Sequence, residues 1–110
     1  METLAILAQL EAKPGKEKEL EVILRSALPL AEAEPLTSTW YALKMSPSRF
    51  AIFDTFEDSI GREAHLSGPI AKALFAKADE LLATSPVIDQ PEILAVKTIG
   101  STEQYRNSNT

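Results

Sequence analysis

The sequence predicts an α+β fold whose elements run β-α-β-β-α-β, and three observations predict it. Apolar residues alternate at Leu4, Ile6, Ala8 and Leu10, as in a strand. They recur at helical spacing from Leu20 to Ala31 and again from Ile70 to Leu82. Two β-branched and aromatic runs, LTSTWYALKM and FAIFDTF, flank Ser46-Pro47-Ser48 and so form a hairpin. That order is the ferredoxin-like split βαβ arrangement, an antiparallel sheet with the helices on one face.

Each element has its own boundary signal. Pro14-Gly15 ends the first strand, and Leu20, Ile23, Leu24, Ala27, Leu28 and Ala31 make the apolar stripe of the first helix. Pro29 falls inside that stripe and is expected to kink or end the helix. Asp58 or Ser59 caps a short helix through His65. Gly68-Pro69 breaks it and starts the longer helix carrying Ile70, Ala73, Leu74, Phe75, Ala78, Leu81 and Leu82. A last strand is expected from about Val87 to Ile99, interrupted early by Pro91. Residues 1–100 thus form one domain and 101–110 a polar tail.

Two helices cannot cover both sides of this sheet. Thr3, Ala5, Leu7, Thr37, Thr39, Tyr41, Ala51, Phe53 and Thr55 alternate with the helix-facing set and fall on the opposite side. Two copies packed face to face would bury these residues and close a barrel, so a homodimeric α/β barrel is expected.

Composition removes several functions. With no cysteine and one histidine, thiol catalysis, structural zinc and a Ser-His-Asp triad lack their parts, and no HxxxH, HxH or GxGxxG pattern calls for a metal or a dinucleotide. No metal and no cofactor are expected. The net charge of −5 disfavours nucleic acid, because the lysines sit among glutamates as in KEKELE. No stretch is long and apolar enough for a membrane span or has the form of a signal peptide, so the expected location is cytoplasmic.

His65 is the side chain best suited to take a proton near neutral pH, since an imidazole titrates at about 6.5. The competing reading is a structural histidine that only hydrogen-bonds a neighbour. Trp40 can stack on an aromatic ligand and donate its indole N–H, or simply pack in the core. Phe56 is a core or dimer-contact residue before it is a ligand contact. Arg62, one turn before His65, can hold an oxyanion or pair with Asp58 at the surface.

The chain resembles the antibiotic biosynthesis monooxygenase family of dimeric α/β barrels, to which the quinol monooxygenases belong. The resemblance runs from about Thr3 to Lys97. It rests on Pro14-Gly15, on EPLTSTWYAL, and on the register of Phe56, Glu57-Asp58, Glu63-Ala64-His65 and Ser67-Gly68-Pro69. Leu36 stands where the family usually has glycine, and Gly61 where it has alanine or another helix former. The resemblance implies a pocket between helices and sheet in which a quinol or phenolic polycyclic substrate is oxidised by O2 without metal or flavin. His65 would be the base, and Trp40, Arg62 and Phe56 would contact the substrate. Haem degradation, a variation within the wider family, is disfavoured: Ala73–Ala76 holds no histidine, and Ala8 or Gln9 replaces the expected asparagine. The alternatives are a non-catalytic small-molecule or interaction module on the same barrel, and an isomerase or decarboxylase of the superfamily.

Overall fold

A computed structural model describes residues 2–99. The first strand, β1 (Leu4–Glu11), leads into α1 (Glu17–Ser26) and α2 (Leu28–Glu32). The hairpin strands are β2 (Thr39–Lys44) and β3 (Arg49–Phe56), followed by α3 (Ser59–Leu66), α4 (Pro69–Leu81) and β4 (Val87–Asp89). All pairings are antiparallel in the order β2-β3-β1-β4, which is the expected ferredoxin-like sheet. Among the described residues, no helix is long and apolar enough to cross a membrane.

Local chemistry sets the breaks. Gly15 takes φ +87°, the left-handed region that glycine enters without penalty, and its N–H donates to Glu17 Oε1 at 2.9 Å. Pro29 sits in the first turn of α2, where its missing N–H costs nothing, and the chain breaks just before it at Ala27. Asp58 caps α3 by accepting from the N–H groups of Ile60 and Gly61 at 3.1 and 3.2 Å. Pro69 then restarts the chain as α4 behind Gly68.

The register places two cross-strand sets on opposite faces. Toward the helices lie Leu10, Phe50 and Ile52, which pack with Leu20, Leu24 and Leu81 as the main core. Fully burying such a side chain contributes about 1.5–3 kcal/mol. Ala27, Ala31 and Ile70 form a smaller cluster, and Trp40 and Leu74 touch both. On the other face run the rows Leu7–Phe53–Tyr41 and Gln9–Ala51–Leu43, with Tyr41 53% and Leu43 40% exposed.

The last strand is shorter than its apolar run. β4 ends at Asp89, and pairing with β1 continues in the same register only through Ala5 N–H to Pro91 O, a bridge from Leu4 to Glu92, and Ile93 N–H to Thr3 O. Pro91 cannot donate to the ladder, which explains the early end. Beyond it Leu94 is 93% exposed. The polar tail expected over 101–110 lies outside the described residues.

The two unusual positions noted in the sequence meet in space. A Cβ on Gly61 would lie 2.8 Å from the Leu36 carbonyl oxygen and 3.2 Å from Leu36 Cβ. Gly61 therefore lets α3 approach a connection that carries leucine rather than glycine. Gly61→Ala should gain helix propensity of about 1 kcal/mol and lose more to the forced displacement, which typically costs 1–3 kcal/mol. A thermal melt should show a lower Tm, partly recovered by adding Leu36→Gly. An unchanged Tm would contradict the close contact.

Candidate functional site

Asp54 is the anomaly of the sheet. It shares strand parity with Phe50, Ile52 and Phe56, so the register of β3 drives its carboxylate to the helix-facing side, between Ile6 and Trp40. It is 0% exposed. A carboxylate taken from water in this way needs a counter-charge.

α3 supplies it. His65, in the last turn of that helix, sits where the helix dipole favours a cation. Its Nε2 lies 2.7 Å from Asp54 Oδ2, and its Nδ1 lies 2.7 Å from Glu34 Oε1. Glu34 follows α2 and also accepts from the Thr37 hydroxyl at 2.7 Å. The ring is thus held between two carboxylates from distant parts of the chain, with the Phe56 ring tilted against it at 5.6 Å between centroids. The contact to Asp54 is short, yet neither Asp54 oxygen has a well-aligned hydrogen bond, and Glu34 Oε2 is also buried without a partner.

The charges shift one another. Burial disfavours the imidazolium, but the Asp54 and Glu34 carboxylates outweigh it and hold the His65 pKa above its ordinary 6.5. For Asp54 burial is the larger effect; His65 opposes it, and the carboxyl still lies above its ordinary 3.8. Both carboxylates therefore favour the protonated ring over the neutral acceptor that the sequence alone suggested.

Asp54 and His65 form the polar end of a cavity between the sheet and α3–α4. Its remaining lining is apolar, including Ile6, Ala8, Ile52, Ile70 and Leu74. The enclosed space is about 50 Å³, with the exposed Phe75 among its lining residues. On the outer side of the ring, Glu34, His65, Leu36 and Gly61 line a second depression. Among the described residues, no group of three His, Cys, Asp or Glu side chains is placed to hold a metal ion. The two carboxylates flank the ring instead of converging on a common point.

The other sequence candidates are spread around this centre. Phe56 is fully buried and touches His65. Trp40 faces the helices but packs between the two core clusters and lines a different depression, beside Glu34, with its Nε1 lacking a partner. Arg62 is half-buried and donates to the Gln90 carbonyl at 3.4 Å, while Asp58 is occupied as the α3 cap. Sequence reasoning missed Asp54 and Glu34. Asp54 had a signal, being the single charged residue among four helix-facing positions of β3, whereas nothing local marked Glu34 as a partner of His65.

These shifts set the pH dependence of stability. His65, with its pKa raised on folding, contributes stability that is complete below 6.5 and is lost as pH rises through the folded value. Asp54, also raised, penalises the folded state increasingly once pH passes 3.8. Both act in one direction, so Tm should fall as pH rises from 3.8 through the folded pKa of His65. The slope should flatten in Asp54→Asn/His65→Gln. An identical slope in both proteins would show that these groups are not its cause.

No protein-family model matches the sequence, and no curated protein matches it. Among solved structures, a protein of unknown function from Nitrosomonas europaea is 53% identical, with 89% of this chain and 95% of that one covered and a TM-score of 0.87. A "putative antibiotic biosynthesis monooxygenase" from Caulobacter crescentus is 18% identical over 86% of this chain and 92% of its own, at a TM-score of 0.72. A second protein so described, from Nitrosomonas europaea, is 14% identical over 84% and 99%, at 0.75. The latter two share the fold. The chain belongs to the same family as the 53%-identical protein of Nitrosomonas europaea, a family with the ferredoxin-like fold of the antibiotic biosynthesis monooxygenases.

Proposed function

We propose that this protein is a monooxygenase that oxidises a quinol or phenolic aromatic molecule with O2 and needs no metal or organic cofactor. The observation that carries the proposal is an apolar cavity whose only titratable lining groups, among the described residues, are Asp54 and His65. An electron-rich quinol binds such a wall through its ring and presents its hydroxyl to the charged end. Once deprotonated it can pass an electron to O2 itself, so the protein has to bind it, move protons and exclude water. The balance closes without another reductant: one quinol and one O2 give one hydroxyquinone and one water, and the substrate supplies both hydrogens. The names of the fold neighbours support this class.

Phe56 packs against the ring of His65 in this scheme, Trp40 packs against the cluster that holds Ile70 of the wall, and Arg62 lies outside the lining. We place the enzyme in the cytoplasm, with neither nucleic acid nor a membrane as partner. We also propose that two copies join through the open face of the sheet, where Tyr41, Leu43 and Val87 are exposed beside Leu7 and Phe53. Sedimentation at micromolar concentration should give a dimer, and Tyr41→Asp should shift it toward monomer. A wild-type monomer would overturn the barrel.

A second reading draws on the narrowness of the cavity. About 50 Å³ favours a substrate smaller than a polycycle, and the same acid–base pair would serve enolisation in an isomerase or decarboxylase.

Oxygen uptake with a panel of benzene, naphthalene and anthrone-type quinols tests the main reading. Wild type should consume O2 one-to-one with substrate. His65→Gln should lower turnover roughly 10²-fold or more, the usual loss when general acid–base chemistry is removed. Equal rates would remove the site from the reaction. Absence of uptake, together with solvent-deuterium exchange into a small ketone, would establish the enolisation reading. Binding with neither reaction would mark a non-catalytic module.

A further inference from the structure

We propose that Asp54, His65 and Glu34 form a proton shuttle through the cavity wall, with Asp54 as the catalytic base that meets the substrate hydroxyl and Glu34 as the port to water. This rests on the reading of the cavity as a quinol site.

Two observations carry it. The first is that both ring nitrogens of His65 lie 2.7 Å from carboxylate oxygens, which leaves no nitrogen to meet a substrate. Asp54 is fully buried and lines the cavity, and its Oδ2 is the oxygen beside the ring, so Oδ1 is the acceptor left to meet a substrate. The second is that the triad crosses the wall. Asp54 and His65 line the inner cavity, whereas His65 and Glu34 line the outer depression, and Glu34 Oε2 is buried without a protein partner. Among the described residues, the charges acting on the ring are Asp54 from β3 and Glu34 from the α2–β2 connection. β1, α4 and β4, the other elements lining the cavity, present apolar side chains such as Ile6, Ala8, Ile70, Leu74 and Ile88 to it.

The proton movement balances. The substrate O–H bond breaks, an O–H bond forms at Asp54 Oδ1, and the electron pair stays on the substrate oxygen. Neutral Asp54 no longer balances the imidazolium, so the Nδ1 proton passes to Glu34 and on to water. The proton taken up inside and the proton released outside are different ones. When O–O cleavage later forms water, Asp54 returns its proton, and the ring regains one through Glu34. Burial of Asp54, which favours the neutral carboxyl, lets it hold the proton in the interval.

The test uses the whole protein and a single-ring benzohydroquinone under anaerobic conditions, with ionisation read by absorbance and proton release by a pH indicator. Wild type should ionise the probe and release a proton. Asp54→Asn should bind it but ionise it at least roughly 10²-fold more slowly. Glu34→Gln keeps an acceptor for Nδ1–H but carries no proton, so release should slow by about tenfold or more while binding holds. Wild-type ionisation in Asp54→Asn, or wild-type release in Glu34→Gln, would overturn the shuttle. A second measurement needs no substrate: solvent exchange of the His65 Nδ1–H by ¹⁵N NMR should slow in Glu34→Gln, and equal exchange would overturn the port. If wild type binds the probe without ionising it, the quinol reading fails while the exchange measurement still decides the shuttle.

Discussion

The interaction on which the site depends is the burial of one carboxylate in the middle of the sheet. Removing an ion from water costs several kcal/mol, and the His65 ring at 2.7 Å, when protonated, is the side-chain charge that offsets it for Asp54. That cation is in turn shared with Glu34, so β3, α3 and the α2–β2 connection meet at one ring. The local backbone permits the approach. Gly61 removes a Cβ that would strike Leu36, and a Cβ on Gly68 would lie 3.1 Å from the Ala64 oxygen and 3.5 Å from Glu34 Oε2. Buried ion pairs of this kind are often matched or exceeded in stability by apolar residues of similar volume. Fold stability alone therefore gives no account of Asp54 among Phe50, Ile52 and Phe56, whereas the proposed proton transfer gives one.

Much of this architecture was legible because alternation and proline placement are local signals. The parity of β1 and β3 separates the helix-facing set from Ala5, Ala51 and Thr55, and Pro29, Asp58 and Pro69 sit at the boundaries they announce. The last strand was read too long because the apolar residues after Pro91 look like a strand, while a strand also needs a donor at each ladder position. His65 was legible as the one imidazole, but its charge state was not. That depends on Glu34 and Asp54, which lie 31 and 11 positions away and meet it only in the folded chain. Trp40 shows the same limit from the other side: its parity correctly turned it toward the helices, and packing then placed it between the two core clusters.

In the proposed reaction, charge state decides what the pair can offer a quinol. A phenolic hydroxyl with a pKa of about 10 loses its proton to a carboxylate only uphill, at roughly 1.4 kcal/mol per unit of difference. Two features of the site reduce that difference. Burial raises the affinity of Asp54 for the proton, and the imidazolium beside it favours the new negative charge in a cavity with little water to screen it. Until the Nδ1 proton leaves through Glu34, the cavity in this scheme holds a phenolate and a cation, and the like charge of a second carboxylate is gone. Two carboxylates around one ring therefore give a stronger proton trap than the ring by itself, and the narrow apolar wall confines the activated substrate next to it.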